Sequence, residues 1–227
     1  PSDNIDYLTS IEDGVQGLRI AFSPTLGHVG FVDPEIANLV ATAAKSFEEL
    51  GAIVEEVDPD LIETEAVFRT HWFASAAAVG KAVPSKKHSL LDKGLQEIIE
   101  DGRNIAAADY IEASSRRATI GENMQVFFQN YDLLLTPGQP LPAFKAGMEF
   151  PEGHNFKRWH EWTPFTYPFN LTQQPAASAP CGFTLDGLPA GLQIIGPLFA
   201  DALVLRAARA YEHTNPFKMP DAPIVGT

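Results

Sequence analysis

Apolar positions in this chain fall into short clusters and long periodic runs. In "GLRIAFSP" (17–24), "AIVEEV" (52–57) and "YDLLLTPG" (131–138) they are clustered and bounded by Gly, Pro or charged residues, the pattern of strands buried in a sheet. Between the first two clusters Ile36, Leu39, Val40, Ala43, Phe47 and Leu50 recur at helical spacing. Asp33 offers the cap of that helix, Pro34 fits its first turn and Gly51 ends it. Strand, helix and strand in close succession make a βαβ unit, which implies a sheet that is at least partly parallel. The pattern therefore predicts the α/β class: a mixed, partly parallel β-sheet flanked by α-helices.

Asp60 and Glu63 have capping-box spacing ahead of an alanine-rich helix that runs to about Gly80. Further helical patterns cover residues 89–101 and 105–129, the second carrying Tyr110, Arg117, Met124 and Phe128. Residues 139–160 are irregular and rich in Pro, Gly, Phe and Trp, a long connection of the kind that carries function or covers a site. Near the C-terminus Asp186-Gly187 separates two apolar runs and predicts a hairpin, with Pro180 fitting an edge strand or a bulge. A last helix starts near Asp201 and carries Leu203, Leu205, Ala208 and Tyr211. No repeat, low-complexity segment or linker interrupts the chain, so residues 1–227 read as a single domain.

Length and a hydrophobic content of 45% over 227 residues allow a substantial core. The net charge of −13 disfavours nucleic-acid binding, which needs a positive field, and the basic pairs Lys86-Lys87 and Arg116-Arg117 are isolated. No apolar run reaches the roughly 18 residues that a membrane helix requires, and the N-terminus lacks a leader-like pattern, so the expected location is cytoplasmic, without a membrane partner. The first residue is Pro1 rather than methionine, which suggests that a preceding segment has been removed. The single cysteine, Cys181, sits in an apolar stretch and reads as a core residue rather than a nucleophile.

Chemical motifs are scarce. There is no G-x-S-x-G elbow, no phosphate-binding loop and no dinucleotide fingerprint, "GHVG" (27–30) lacking the remaining glycine spacing. His154, His160 and Glu161 lie close together but match no metal-ligand spacing, so neither a metal nor a cofactor is expected. Carboxylate pairs such as Glu48-Glu49 and Glu100-Asp101 are adjacent in sequence, and their side chains diverge. The stretch "FKRWHEWTPFTYPFNL" (156–171) has the composition of an apolar ligand pocket, in which Arg158, His160, Glu161 and Thr163 could orient a ligand. The alternative is that its aromatic residues fill core volume.

Four blocks, "LRIAFSPTLGHVGFVDPEIANLVATAAKSFEELGAIVEEVDP", "YDLLLTPGQPLPAF", "PFTYPFNLTQQPAASAPCGFTLDGLPAGLQIIGP" and "ADALVLRAARAYE", resemble successive segments of the amidase signature family, in the same order. The resemblance spans about residues 11–215, with 164–197 its most specific part. It implies the C-terminal portion of an amidase fold and hydrolysis of an amide C–N bond through an acyl-enzyme. In that family a serine attacks, a second serine relays the proton and a lysine is the base, all in the N-terminal half. The Gly/Ser-rich signature that carries both serines is absent here, and no lysine matches the base, so no catalytic residue carries over.

The candidate substrate-binding residues are Trp159, Trp162, Thr163, Phe169, Leu192 and Ile194: Trp159 lies in the aromatic stretch, and the others stand where the resemblance implies segments flanking the acyl site. Two departures stand out. Family members often have glycine where this chain has Gln173, and the tRNA-dependent amidotransferase subunits resemble D-I-F-T where it reads "TPFT" (163–166); losing that aspartate points to a free-standing amidase, and the aromatic-rich entry suggests an aryl or apolar acyl group. The expected partners are a small-molecule amide and the missing N-terminal half of the same protein, with a homodimer as a further option. A non-catalytic binding or scaffold module built on the same frame is the alternative function, and a nucleotide-binding domain rests on the βαβ unit alone.

Overall fold

A computed structural model describes residues 6–61 and 63–217. The N-terminal pattern read for a leader segment falls partly on residues 1–5, outside the described residues. Five strands form one mixed sheet in the order β2-β1-β3-β5-β4. The strands are β1 (Arg19–Phe22), β2 (Ile53–Glu56), β3 (Leu133–Pro137), β4 (Ala176–Phe183) and β5 (Pro189–Ile195). β1 pairs in parallel with both β2 and β3, Ile20 standing opposite Val54 on one side and Leu133 on the other. β5 runs antiparallel to β3 and to β4, so the sheet changes sense at the β3–β5 seam.

Helices cover both faces, as alternation along buried strands requires. On one face α1 (Pro34–Glu49) and α6 (Asp201–Thr214) pack over Ile20, Leu133, Leu135, Leu192 and Ile194. The other face, with Ala21, Leu134 and Ile195, is covered by α2 (Thr64–Gly80), α4 (Ala107–Phe127) and α5 (Tyr167–Thr172). α3 (Lys93–Arg103) lies against α2. Asp33 caps α1 as expected, its Oδ1 accepting from the Glu35 and Ile36 amides at 2.8 and 3.4 Å.

The capping box expected before α2 does not form. Glu63 occupies the cap position in a left-handed conformation, φ 61°, with no side-chain capping bond. Asp60 instead accepts from Asn123 Nδ2 of α4 at 3.1 Å, a partner distant in sequence that local spacing cannot reveal. The helix expected over 89–101 is split: a 3-10 turn covers Ser85–Leu90, and α3 begins after Asp92, whose carboxylate accepts from the Leu95 amide at 3.1 Å. The hairpin forms, closing on Gly187 at φ 77°. Pro180 lies on the edge strand at a register shift between Pro180 and Gly182, so both of its predicted settings apply. Among the described residues no helix is long and apolar enough to cross a membrane.

Candidate functional site

At the carboxyl end of β3 the chain turns through Gly138 and Gln139, beside the seam where the sheet changes sense, a usual place for a crevice in α/β sheets. A groove of about 420 Å³ opens there, within the size range of small-molecule sites. Its floor is made by β4 and β5. Gly138 donates its amide to the Gly191 carbonyl at 2.8 Å, and a Cβ at Gly191 would come within 2.8 Å of the Ser178 hydroxyl oxygen. A side chain at 191 would therefore displace the Ser178 hydroxyl. Leu141, Pro142, Ala143, Trp162 and Thr166 complete its lining together with Ile36 of α1.

Gln193 is the polar centre of this region. Its Nε2 donates to the Thr136 hydroxyl at 3.0 Å and to the Phe165 carbonyl at 2.8 Å, tying β3 and β5 to the turn that precedes α5. All three residues are buried. Gln193→Leu leaves the Phe165 carbonyl without that donor, an expected loss of about 1–3 kcal/mol, readable as a lower urea midpoint. Gln139 is half-buried, and its Oε1 is buried with no hydrogen-bond partner.

The wall around Trp162 is clamped to the helices. The indole Nε1 donates to the Glu149 carbonyl at 3.3 Å, and Phe144 meets the ring edge-on at a centroid distance of 5.0 Å. One turn earlier His160, only 1% exposed, places Nε2 3.1 Å from Glu65 Oε1 of α2 inside a cage of Phe68, Phe73 and Trp159. Nδ1 has no partner, so Nε2 is the nitrogen that carries the proton toward the carboxylate. That hydrogen bond holds the Glu65 carboxyl below its ordinary value, against the opposing effect of its partial burial. His160 is thus a structural clip, whereas His154 stacks on Phe156 at 5.1 Å. Among the described residues no group of three His, Cys, Asp or Glu could hold a metal ion.

The six candidate substrate-binding residues are not brought together. Trp162 lines the groove. Thr163 is buried, and its hydroxyl donates to the His160 carbonyl at 3.1 Å, closing the turn. Trp159 and Phe169 belong to the helical layer of α2 and α4, while Leu192 and Ile194 pack under α1 and α6 on the opposite face of the sheet. The polar groove residues outside those six are Gln139, Thr166, Ser178 and Gln193. For Gln193 a signal existed: in "GLQIIG" strand alternation places it on the face opposite to Leu192 and Ile194.

No activated nucleophile is assembled here. Ser178 faces the groove, but among the described residues its hydroxyl forms no hydrogen bond to a histidine, lysine or carboxylate. Ser23 does donate to Asp58 Oδ1 at 2.6 Å, yet it is 0% exposed and accepts the Leu26 amide at 2.8 Å, which makes it part of the turn after β1. Burial pushes the Cys181 thiol up to about 11, which leaves it protonated at neutral pH. Gln173 ends α5 at φ 64°, a left-handed conformation that costs a non-glycine residue about 1 kcal/mol.

A family model described as Amidase matches residues 3–205. The chain is 33% identical to an acylamidase of Rhodococcus erythropolis, over 93% of its own length and 45% of the relative's. It is 31% identical to a glutamyl-tRNA(Gln) amidotransferase subunit of Myxococcus xanthus, over 96% and 49%. Among solved structures, a bacterial aryl acylamidase of the amidase signature family superposes with a TM-score of 0.80 at 29% identity, covering 93% of this chain and 46% of that one. A 6-aminohexanoate cyclic dimer hydrolase, 20% identical with a TM-score of 0.81, shares the fold. The chain spans about half the length of the relatives it matches.

Proposed function

The chain belongs to the amidase family, whose members act on amide C–N bonds, and on that premise we propose that it is the C-terminal half of an amidase. In this reading a serine on polypeptide outside residues 1–227 attacks a small carboxamide, and a base on the same outside segment takes its proton. This chain supplies the sheet frame and the Trp162 wall. The carrying observation is that 93% of the chain aligns with only 45% of an acylamidase, while among the described residues the groove serine, Ser178, has no hydrogen bond to a base. A nucleophile without an aligned base is weak, so a frame alone does not hydrolyse an amide.

The edge of the sheet supports the same reading. Among the described residues β4 pairs on one side only, with β5. A mostly apolar groove of about 590 Å³ runs beside it, lined by Ala179, Leu205, Ala208 and Tyr211, with Arg209 and Glu212 also in its lining. Long open edges and apolar grooves are surfaces that proteins cover, and the remainder of the protein is the proposed cover. The test is to assay the complete protein against a panel of carboxamides for ammonia or amine release. Turnover that is lost when a serine outside this chain is replaced supports the reading, and a folded complete protein that releases neither supports a scaffold role instead.

Cys181 takes no part in this chemistry. Cys181→Ala is expected to change hydrolysis by the complete protein less than about twofold, because a protonated, half-buried thiol is a poor nucleophile. Loss of activity in that variant, or upon alkylation of the thiol, would contradict the assignment.

A further inference from the structure

We propose that Glu149 is a positioning residue: it lies outside the groove, yet the hold of its carboxylate on the nearby backbone and on Arg158 fixes the Trp162 indole, and with it the alignment of a bound amide for attack. The proposal rests on the amidase reading above and applies whatever the acyl group. Residues 138–158 form neither helix nor strand, so this connection has no regular backbone ladder to hold it and depends on individual contacts. Several of those contacts meet at Glu149, which is not among the residues lining the groove.

The Glu149 carbonyl accepts the Trp162 Nε1 proton at 3.3 Å, which uses the one donor an indole has. Its Oε1 accepts the Trp159 amide at 3.3 Å, so the same residue is tied to both ends of the 3-10 turn Trp159–Trp162. Its Oε2 lies 3.7 Å from Arg158 Nη1, and the other terminal nitrogen of that guanidinium is paired with Glu97 of α3. Oε2 also rests on the first turn of α3, where a Cβ at Gly94 would come within 2.9 Å of it and where the positive end of the helix favours a carboxylate. A path of contacts thus runs from α3 through Arg158 and Glu149 to Trp162. Phe144 meets that ring edge-on at 5.0 Å, and the His160–Glu65 bond anchors the same turn to α2. The Glu149 side chain is 30% exposed and that of Arg158 23%, so their ion pair adds little to stability; what these bonds supply is geometry. A shift of about 1 Å in a group that aligns a substrate can cost on the order of 100-fold in rate.

The test uses the complete protein with acetamide, benzamide and L-glutamine. Glu149→Ala is expected to lower kcat about tenfold for whichever of these is hydrolysed, with KM within about twofold of the parent, because the groove still binds the amide but no longer aligns it. The urea midpoint should change little, whereas a merely structural role would lower the midpoint and leave the kcat of the folded protein intact. Exchange of the Trp162 indole proton with water, followed by NMR and assigned by its disappearance in Trp162→Phe, should quicken about tenfold in Glu149→Ala as the bond to the carbonyl loosens. Glu149→Gln keeps an oxygen for the Trp159 amide and drops the charge that faces Arg158. Its expected loss in kcat is about threefold, the scale of a part-exposed ion pair, and it keeps the test decisive should Glu149→Ala fail to fold. An unchanged kcat in the folded variants, or a loss that falls on KM alone, overturns the proposal. If none of the three amides is hydrolysed the amidase reading fails, and the indole then decides: faster exchange at Trp162 in Glu149→Ala sustains the hold of Glu149 on that ring, and unchanged exchange overturns it.

Discussion

Gly102→Ala is expected to destabilise the protein by about 3 kcal/mol or more, the upper range for forcing atoms into a packed contact. α3 rests on α2 at this residue. A Cβ at Gly102 would fall well inside the Phe73 carbonyl oxygen and 3.1 Å from Ala77 Cβ. The obstacle is helix backbone, which has no rotamer to escape into, so α3 must move off α2. The contact is tight at its other end too, where a Cβ on Gly80 would lie 3.0 Å from Ile99. Gly121→Ala on α4 is the control: nothing lies within 4 Å of that Cβ, and replacing a helical glycine there should be neutral or stabilise by up to ~1 kcal/mol. Urea midpoints of both variants, at unchanged m-values, check the pair. A Gly102→Ala protein as stable as the parent would show that the helices are not packed this closely. Because α2 also carries Glu65 and Phe73, which hold His160, the strain should reach the Trp162 wall as well.

A polypeptide of residues 1–227 alone is expected to show no amide hydrolysis above buffer, against turnover by the complete protein. Removing the nucleophile or base of a serine hydrolase costs on the order of 10⁶ in kcat, and here neither is present to begin with. Ser178, Ser23 and Cys181 fail for separate reasons: among the described residues Ser178 has no base, Ser23 is buried with its hydroxyl engaged by Asp58 and Leu26, and Cys181 is held protonated. Product release followed by chromatography, on matched molar amounts of the two proteins, checks the difference. Turnover by the purified short chain would remove the need for an outside nucleophile.

The α/β frame was readable because its signals are local. Asp33, Pro34 and Gly51 bracket α1 within one or two residues, and three apolar clusters mark β1, β2 and β3. Where an outcome depended on a distant partner the sequence was silent: Asp60 turns to Asn123 rather than to its own helix, and α5, six residues long with Pro168 in its first turn, is too short to show a period. The groove was only partly legible. Aromatic composition pointed to Trp159, and the resemblance to Trp162 and Phe169, but neither says which ring faces a crevice and which fills a core, and of these Trp162 alone lines it. Leu192 and Ile194 flank the residue that faces the site, and strand alternation puts Gln193 on the other face as the polar member of its row.

The central claim is that the attacking hydroxyl comes from outside these 227 residues. It is tested most directly by treating the complete protein with a serine-directed fluorophosphonate and mapping the adduct by peptide mass spectrometry. The account predicts a single modified serine, stoichiometric with loss of amide hydrolysis, on a peptide outside residues 1–227. An adduct on Ser178, or on any other serine of this chain, that accompanies the loss of activity would contradict it.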